Sequence, residues 1–274
     1  MKAHTPHMPV KSGTILDVIV EKKRESLRAQ KNLIGINELK DEIIDVEDTR
    51  GFLAAIRDHT GVSVIAEIKA KSPSVGVIAE SFDPGAIAAS YQEGGAAAIS
   101  VLTEEDHFGG CLDYLKHARK RVTIPVLRKD FIFDPYQIYE ARAAGVDAVL
   151  LITAILDDDV LICLMEKAHE IGVDCLVEVH TEFERDAALK AGAGLIGINN
   201  RNLKTFITDL STTERIMTEM PRDVTVVSAS GISSGDDVRR LVRSGVKGVL
   251  VGESLMRSVD IGKKLAELAC GETP

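Results

Sequence analysis

Eight short apolar runs, separated by longer segments of helical periodicity, are the feature that most limits how this chain can fold. Each run is almost continuously apolar, which is typical of a strand buried on both faces of a parallel sheet. The sequence therefore predicts eight strand–helix units in one parallel sheet. The runs are Val64–Ile68, Ala97–Leu102, Pro125–Leu127, Ala148–Ile152, Leu176–Val179, Leu195–Ile198, Thr225–Val227 and Gly248–Val251.

The segments between the runs have the period and the end signals of helices. Asp134–Ala144, Asp157–Ile171 and Thr181–Ala191 are each followed by a glycine, the usual stop residue after a helix. The repeat is about 26 residues per unit, near that of a (β/α)8 barrel. An open doubly wound sheet is the alternative, but no G-x-G-x-x-G turn follows the first run. We therefore predict the α/β class and a (β/α)8 TIM barrel.

The N-terminal part of the chain lacks this alternation. Thr14–Lys31 and Thr49–His59 have helical apolar stripes, and a polar, acidic connector lies between them. We predict that residues 1–61 form an N-terminal helical extension covering the barrel and that residues 62–274 form the barrel, in one structural domain overall. A helical extension placed over the mouth of the barrel would exclude water from a site there.

Composition excludes several classes of function. The chain has 42 acidic and 33 basic residues, a formal net charge of −9, so a nucleic-acid partner is not expected. The longest nearly apolar stretch, Val146–Leu156, is too short to span a membrane, and no membrane partner is expected. The four cysteines form no C-x-x-C pair and the histidines have no metal-ligand spacing. We expect free thiols, no metal, a cytoplasmic location, and a monomer or weak homo-oligomer.

Charged side chains follow several of the predicted strands. In a (β/α)8 barrel the active site lies at the carboxyl ends of the strands, so these groups should converge there. Period-2 alternation places Glu67 and Lys69 on one face. Structural ion pairs would explain one such residue alone, whereas two carboxylates and two lysines facing one mouth suit general acid–base chemistry. The candidates are Glu67, Lys69, Lys129 and Glu178, with Asn199 and Arg201 after the sixth strand.

The seventh and eighth strands are followed mainly by small residues, unlike the strands that end in charged side chains. Ser230-Gly231 and Gly252-Glu253-Ser254 offer exposed backbone N–H groups at a place where barrels frequently bind phosphate. Tight turns that only need glycine are the alternative. The presence of both loops together favours a phosphate site.

Taken in order, these motifs resemble the indole-3-glycerol-phosphate synthase family over nearly the whole chain. The residues that carry the resemblance are Glu67-Ile68-Lys69, Lys71-Ser72-Pro73-Ser74, Phe108-Gly109-Gly110, Arg128-Lys129-Asp130-Phe131, Leu176-Val177-Glu178-Val179, Gly197-Ile198-Asn199-Asn200-Arg201, Ser230-Gly231-Ile232 and Val251-Gly252-Glu253-Ser254. The resemblance implies ring closure of 1-(2-carboxyphenylamino)-1-deoxyribulose 5-phosphate to indole-3-glycerol phosphate with loss of carbon dioxide and water. It implies no cofactor and a small phosphorylated substrate as the partner.

The resemblance also implies roles for single residues. Lys129 would be the general acid at the ketone oxygen, and Glu178 the proton acceptor in the dehydration. Lys69 would hold the anionic groups of the substrate, while Glu67 and Asn199 would orient the lysines and the substrate hydroxyls. The remaining implied contacts are Arg201 with the anthranilate carboxylate, Phe108, Phe131 and Leu150 with the aromatic ring, and Ser72, Ser230, Gly231, Gly252 and the Glu253 backbone with the phosphate.

One position departs from the family pattern. The family usually has glutamate before the Ser-Gly at the end of the seventh strand, and this chain has Ala229. The missing carboxylate leaves open a catalytically weakened or regulatory barrel of the same family. Another phosphate-binding barrel, such as an aminosugar-phosphate isomerase, is a further alternative, but it gives no reason for Glu-x-Lys and Lys-Asp-Phe to occur together.

Overall fold

Eight parallel strands close into a barrel in the computed structural model, which describes residues 9–72, 76–77 and 82–269. The first strand pairs with both the second and the last, and this closes the sheet. The predicted (β/α)8 TIM barrel is confirmed. The strands are β1 (Ser63–Ile68), β2 (Ala98–Leu102), β3 (Val126–Lys129), β4 (Ala148–Ile152), β5 (Asp174–Val179), β6 (Leu195–Asn199), β7 (Thr225–Ala229) and β8 (Gly248–Val251).

Helices surround the barrel and alternate with its strands. Predicted helix starts are confirmed at Asp134, Asp157 and Thr181, whose side chains accept a backbone N–H from the first turn of the helix that follows. A short 3₁₀ helix, Thr153–Ile155, follows β4. The helices are α1 (Ile15–Leu33), α2 (Ile36–Ile44), α3 (Phe52–Arg57), α4 (Pro84–Glu93), α5 (Leu112–Arg121), α6 (Pro135–Ala143), α7 (Asp158–Glu170), α8 (Glu182–Lys190), α9 (Ser211–Met217), α10 (Gly235–Arg243), α11 (Glu253–Met256) and α12 (Ile261–Ala269).

The segment expected to be an acidic connector contains a helix, and that expectation was wrong. α2 occupies Ile36–Ile44, and Leu39 is its only residue that is fully buried. The sequence of this segment therefore has too few apolar positions at helical spacing to indicate a helix. Contacts with other helices also stabilise α2: Lys40 Nζ lies 5.1 Å above the ring of Tyr139 on α6.

Helix α1 lies across the carboxyl end of the barrel. Ile15, Leu16 and Ile19 face the cavity there. Further along, Lys23 Nζ donates to Asp130 Oδ2 at 2.8 Å, and both side chains are buried. A buried ion pair of this kind fixes the helix over the mouth because separating the two charges would leave each one unpaired. The division of the chain at residues 61 and 62 stays a prediction.

Other features of the described residues bear on the class of protein. Within these ranges no helix is both long enough and apolar enough to cross a bilayer. The same residues contain no cluster of three or more His, Cys, Asp or Glu side chains arranged to hold a metal ion. Cys111, Cys163 and Cys175 are free thiols and are partly buried.

Candidate active site

A cavity of about 540 Å³ occupies the carboxyl mouth of the barrel beneath α1. This volume is within the usual range for small-molecule sites. The predicted site residues that face it are Glu67, Lys69, Phe108, Lys129, Phe131, Leu150, Glu178, Asn199, Arg201, Ser230, Gly231, Gly252 and Glu253. Ser72 lies in a two-residue strand, but its side chain, Pro73 and Ser74 are outside the described part of the chain. A contact between Ser72 and a phosphate therefore stays a prediction.

Glu67 contacts both lysines of the cavity. Its Oε1 lies 2.9 Å from Lys69 Nζ and its Oε2 lies 3.4 Å from Lys129 Nζ. Burial raises the pKa of Glu67, but the two ammonium groups outweigh burial and lower that pKa to about 2. Glu67 is therefore ionised at neutral pH and holds the two ammonium groups near each other.

Strand alternation on β3 separates two basic residues. Arg128 points outward, where it is fully buried and paired with Asp130 and Glu140, whereas Lys129 points into the cavity. Burial lowers the pKa of Lys129, but the carboxylates of Glu67 and Glu178 outweigh it, and the net shift of that pKa is upward. Lys129 is thus a cation at neutral pH and can donate a proton.

Glu178, from β5, is the second carboxylate of the cavity, and it is 6% exposed. Asn199 Nδ2 donates to Glu178 Oε1 at 3.1 Å, while Asn199 Oδ1 accepts the backbone N–H of Arg201 at 3.0 Å. Asn199 therefore fixes the carboxylate and the start of the loop that carries Arg201. This arrangement leaves Glu178 free to accept a proton from a ligand.

Aromatic and aliphatic side chains form one wall of the cavity. The rings of Phe108 and Phe131 are 6.3 Å apart between centroids, and Leu150 faces the same space. Glu104 accepts the backbone N–H groups of His107 at 2.8 Å and of Phe108 at 3.0 Å, which fixes the loop that carries Phe108. The wall suits a flat aromatic group.

The loop after β7 has an unusual backbone. Ser230 and Gly231 have φ angles of 69° and 79°, in the left-handed region. A side chain at Gly231 would overlap Thr208. Asn200 Nδ2 donates to the carbonyl oxygens of Ala229 at 3.0 Å and Ser230 at 3.1 Å, which stabilises this turn. Strained backbone held in this way is common at ligand sites.

The loop after β8 leads directly into α11, which begins at Glu253. The first backbone N–H groups of a helix have no acceptor within the helix, so those of Glu253 and Ser254 can bind an anion. Glu253 and Ser254 line the same cavity as Ser230 and Gly231. The two loops together therefore form one polar part of the cavity lining.

Gly252 has a second function that sequence reasoning missed. A Cβ at this position would overlap the Glu67 carboxyl and lie 3.1 Å from Glu67 Cβ, although the backbone of Gly252 is not left-handed. We expect Gly252→Ala to displace Glu67 and, with it, both lysines. Because misplacement by about 1 Å can cost about 10²-fold, kcat should fall by at least about tenfold.

Steady-state kinetics and thermal melting of the variant check this prediction. Gly194→Ala is the matched control, because a Cβ there meets nothing within 4 Å and its backbone is not left-handed. The control should retain its activity. Wild-type kcat in Gly252→Ala would show that Glu67 does not need this space.

Comparisons with known proteins decide the family. The family model described as "Indole-3-glycerol phosphate synthase" matches residues 16–268. A protein of that name from Alkaliphilus metalliredigens is 46% identical over 94% of this chain and 98% of its own length. One from Desulfotalea psychrophila is 48% identical over 93% of this chain and 98% of its own.

The chain belongs to the indole-3-glycerol phosphate synthase family. The resemblance seen in the motifs is thereby confirmed, and so is the interpretation of the chain as an enzyme of tryptophan biosynthesis. Among solved structures, thiamine phosphate pyrophosphorylase from Pyrococcus furiosus matches with a TM-score of 0.57 and 19% identity, over 76% of this chain and 93% of that one. That likeness shows the fold alone.

The structure adds residues to the site of this family member that the motifs alone did not assign. Lys23 and Asp130 fix α1 over the cavity, and Asn200 joins the ends of β6 and β7. His180 contacts both Glu178 and Glu184. A polar residue directly after a buried strand was the available signal for His180 and Asn200, and a charge inside the apolar stripe of α1 was the signal for Lys23.

Proposed function

We propose that this chain is a carbon–carbon lyase that converts 1-(2-carboxyphenylamino)-1-deoxyribulose 5-phosphate to indole-3-glycerol phosphate, carbon dioxide and water. The observation that carries the proposal is the position of Glu67, which contacts Lys69 and Lys129 inside a cavity that also holds Glu178. Two cationic acids and a separate proton acceptor are the groups that this reaction needs.

Ring closure is the first step. The aromatic carbon that carries the carboxylate attacks the ketone carbon, and the new carbon–carbon bond places negative charge on the ketone oxygen. Lys129 donates a proton to that oxygen, which becomes a hydroxyl group. The upward pKa shift of Lys129 keeps its ammonium available, and the same positive charge stabilises the developing oxyanion.

Decarboxylation and dehydration complete the reaction. The bond to the carboxylate breaks, carbon dioxide leaves, and the electron pair returns to the ring. The hydroxyl group then leaves as water after it takes a proton from an ammonium of the cavity. Glu178 accepts a proton from the ring CH2 carbon next to the nitrogen, and the electrons of that C–H bond form the indole double bond. Lys69, held by Glu67 at 2.9 Å, binds the anionic groups of the substrate and is the second source of that proton.

Binding of remote groups orients the reacting centre. Arg201, Phe108, Phe131 and Leu150 line the cavity. In the proposed complex Arg201 pairs with the anthranilate carboxylate, and the other three side chains pack against the ring. The phosphate binds at the loops after β7 and β8, whose residues line the cavity and offer backbone N–H groups. Because both ends of the flexible substrate are fixed on binding, less entropy is lost in the ring-closure step itself.

The other expectations follow from the same reaction. The partner is a small phosphorylated molecule, and each step uses side chains of the cavity without a cofactor. We further propose that the protein works in the cytoplasm as a monomer or weak homo-oligomer. Sedimentation at the concentration used for kinetics tests the oligomeric state.

The direct test is to incubate the purified protein with the carboxyphenylamino-deoxyribulose phosphate and follow indole fluorescence. We expect fluorescence to rise with protein concentration, and a substrate without its phosphate to react far more slowly. The absence of any fluorescence increase at high protein concentration would contradict the proposed function.

Ala229 offers a test of the charge balance in the cavity. It is 7% exposed, faces the cavity, and lies opposite Asn199 in the sheet register. We expect Ala229→Glu to fold, because the new side chain can extend into the cavity. An added carboxylate favours the charged form of a nearby lysine and raises its pKa further. Because the reaction needs the ammonium form of Lys129, the high-pH fall of the pH–rate profile should move to higher pH.

The pH dependence of kcat for wild type and Ala229→Glu checks this prediction. A shift to lower pH, or no shift, would show that position 229 does not act on the lysines. Loss of the fold would show that the side chain points into packed core.

A further inference from the structure

A largely buried histidine lies beside the proposed proton acceptor. His180 follows β5, and its side chain is 10% exposed. Its Nε2 lies 3.4 Å from Glu178 Oε1, which is an ion-pair distance, although the two groups are not aligned for a hydrogen bond. In the part of the chain that the structure describes, this buried nitrogen has no hydrogen-bond partner.

The opposite edge of the same ring is fixed in place. His180 Nδ1 lies 3.2 Å from Glu184 Oε2, and the His180 backbone N–H donates to that oxygen at 2.7 Å. The Thr153 hydroxyl can donate to Glu184 Oε2 at 3.0 Å or to the Glu178 carbonyl at 2.8 Å. Glu184 lies in the first turn of α8, so its carboxylate connects the start of this helix to the end of β5.

We propose that His180 is a positioning residue for Glu178: anchored on Glu184 through Nδ1, it donates its Nε2–H to the Glu178 carboxylate and holds that carboxylate in the orientation that accepts the substrate proton. This inference rests on the proposed function, because it assigns Glu178 the role of proton acceptor. It adds a contact to Glu178 Oε1, the oxygen to which Asn199 Nδ2 also donates.

The geometry around His180 favours a cationic ring. Both ring nitrogens face carboxylate oxygens, which only accept hydrogen bonds, and only the imidazolium carries a hydrogen on each nitrogen. A neutral ring would direct a lone pair at one of the two carboxylates. The protonated ring is therefore the form that fits the two neighbours.

The electrostatic surroundings agree with this geometry. Burial lowers the pKa of His180, but the hydrogen bond to Glu184 and the charges of Glu178 and Glu184 outweigh it, so that pKa is raised. Those two carboxylates, from β5 and α8, are the charged groups that act on the ring. The neighbouring 3₁₀ helix contributes the neutral Thr153 and β6 the neutral Asn199, while Lys129 acts on Glu178 from the cavity side.

Two variants separate the effect of the hydrogen-bond donor at position 180 from the effect of its positive charge. His180→Leu removes both, and we expect kcat to fall about tenfold with KM changed by less than about twofold, because a charge-assisted hydrogen bond is lost. His180→Gln keeps a donor but not the charge, so it should recover part of kcat. A cation next to Glu178 favours its carboxylate form, so in both variants the low-pH fall of kcat should move to higher pH.

His169→Gln is the matched control, since His169 is exposed on α7. It should leave kcat and the pH profile unchanged. Equal kcat values and unshifted low-pH limbs in all three variants would overturn the proposal. A fall in kcat without a shift of the low-pH limb would reduce His180 to a packing role and would also overturn it.

A titration by nuclear magnetic resonance tests the contact without any turnover. The His180 ring signals of wild type should titrate at higher pH than those of Glu184→Gln, because that variant loses the anchoring charge. Equal values would overturn the proposal. If wild type does not convert the substrate, the proposed function fails, while this titration still reports whether the ring bridges the two carboxylates.

Discussion

Lys129→Ala is expected to remove nearly all turnover while leaving phosphate binding largely intact. General acid catalysis contributes about 10²–10⁴-fold, and loss of the positive charge at the developing oxyanion adds to that. Glu67 keeps its 2.9 Å pair with Lys69, so the variant should fold. The measurement is kcat from indole fluorescence, with inhibition by inorganic phosphate as the readout of the phosphate end.

Lys190→Ala is the control for this variant, since the Lys190 side chain is 74% exposed and pairs only with Asp158 at the surface among the described residues. Its kcat should match wild type. If Lys129→Ala keeps more than about a tenth of the wild-type kcat, the assignment of Lys129 as general acid is wrong.

Deleting the residues before Asp48 is expected to lower kcat/KM by about 10- to 100-fold, with the barrel still folded. Helix α1 contributes Ile15, Leu16 and Ile19 to the cavity wall, so its removal admits water and releases one side of the substrate. Asp130 would keep its pair with Arg128 at 2.9 Å after Lys23 is lost. Kinetics and circular dichroism of the truncated chain provide the measurement.

A point variant tests whether the effect comes from the fixed position of α1. Lys23→Met leaves the helix in place but removes the 2.8 Å pair with Asp130. It should raise KM and lower thermal stability, whereas Lys22→Met, at a side chain that is 54% exposed, should change neither. Unchanged kinetics in the truncated chain would mean that the extension does not act on the site.

Local pattern was enough to predict the barrel and the convergence of its polar residues. The eight apolar runs defined the strands, and closure of a parallel sheet brings all carboxyl ends to one mouth. Period-2 alternation was sufficient to place Glu67 and Lys69 together, and the structure has them paired. The resemblance supplied the chemistry, whereas alternation and closure predicted where the groups would meet.

Contacts between distant segments could not be predicted in the same way. Lys23 and Asp130 are 107 residues apart, and nothing local to either residue identifies its partner. The steric reason for Gly252 depends on Glu67 from the neighbouring strand β1. Helix α2 was missed because its single buried side chain, Leu39, gives too weak a period. In each case the deciding interaction exists only after the barrel has closed.

The measurement that tests the central claim most directly is the ratio of carbon dioxide released to indole product formed. A substrate labelled at the anthranilate carboxylate reports both in one reaction. The proposed sequence of ring closure, decarboxylation and dehydration in this cavity predicts a ratio of one, with both products lost together in Lys129→Ala. Indole product without labelled carbon dioxide, or full release of both by Lys129→Ala, would contradict it.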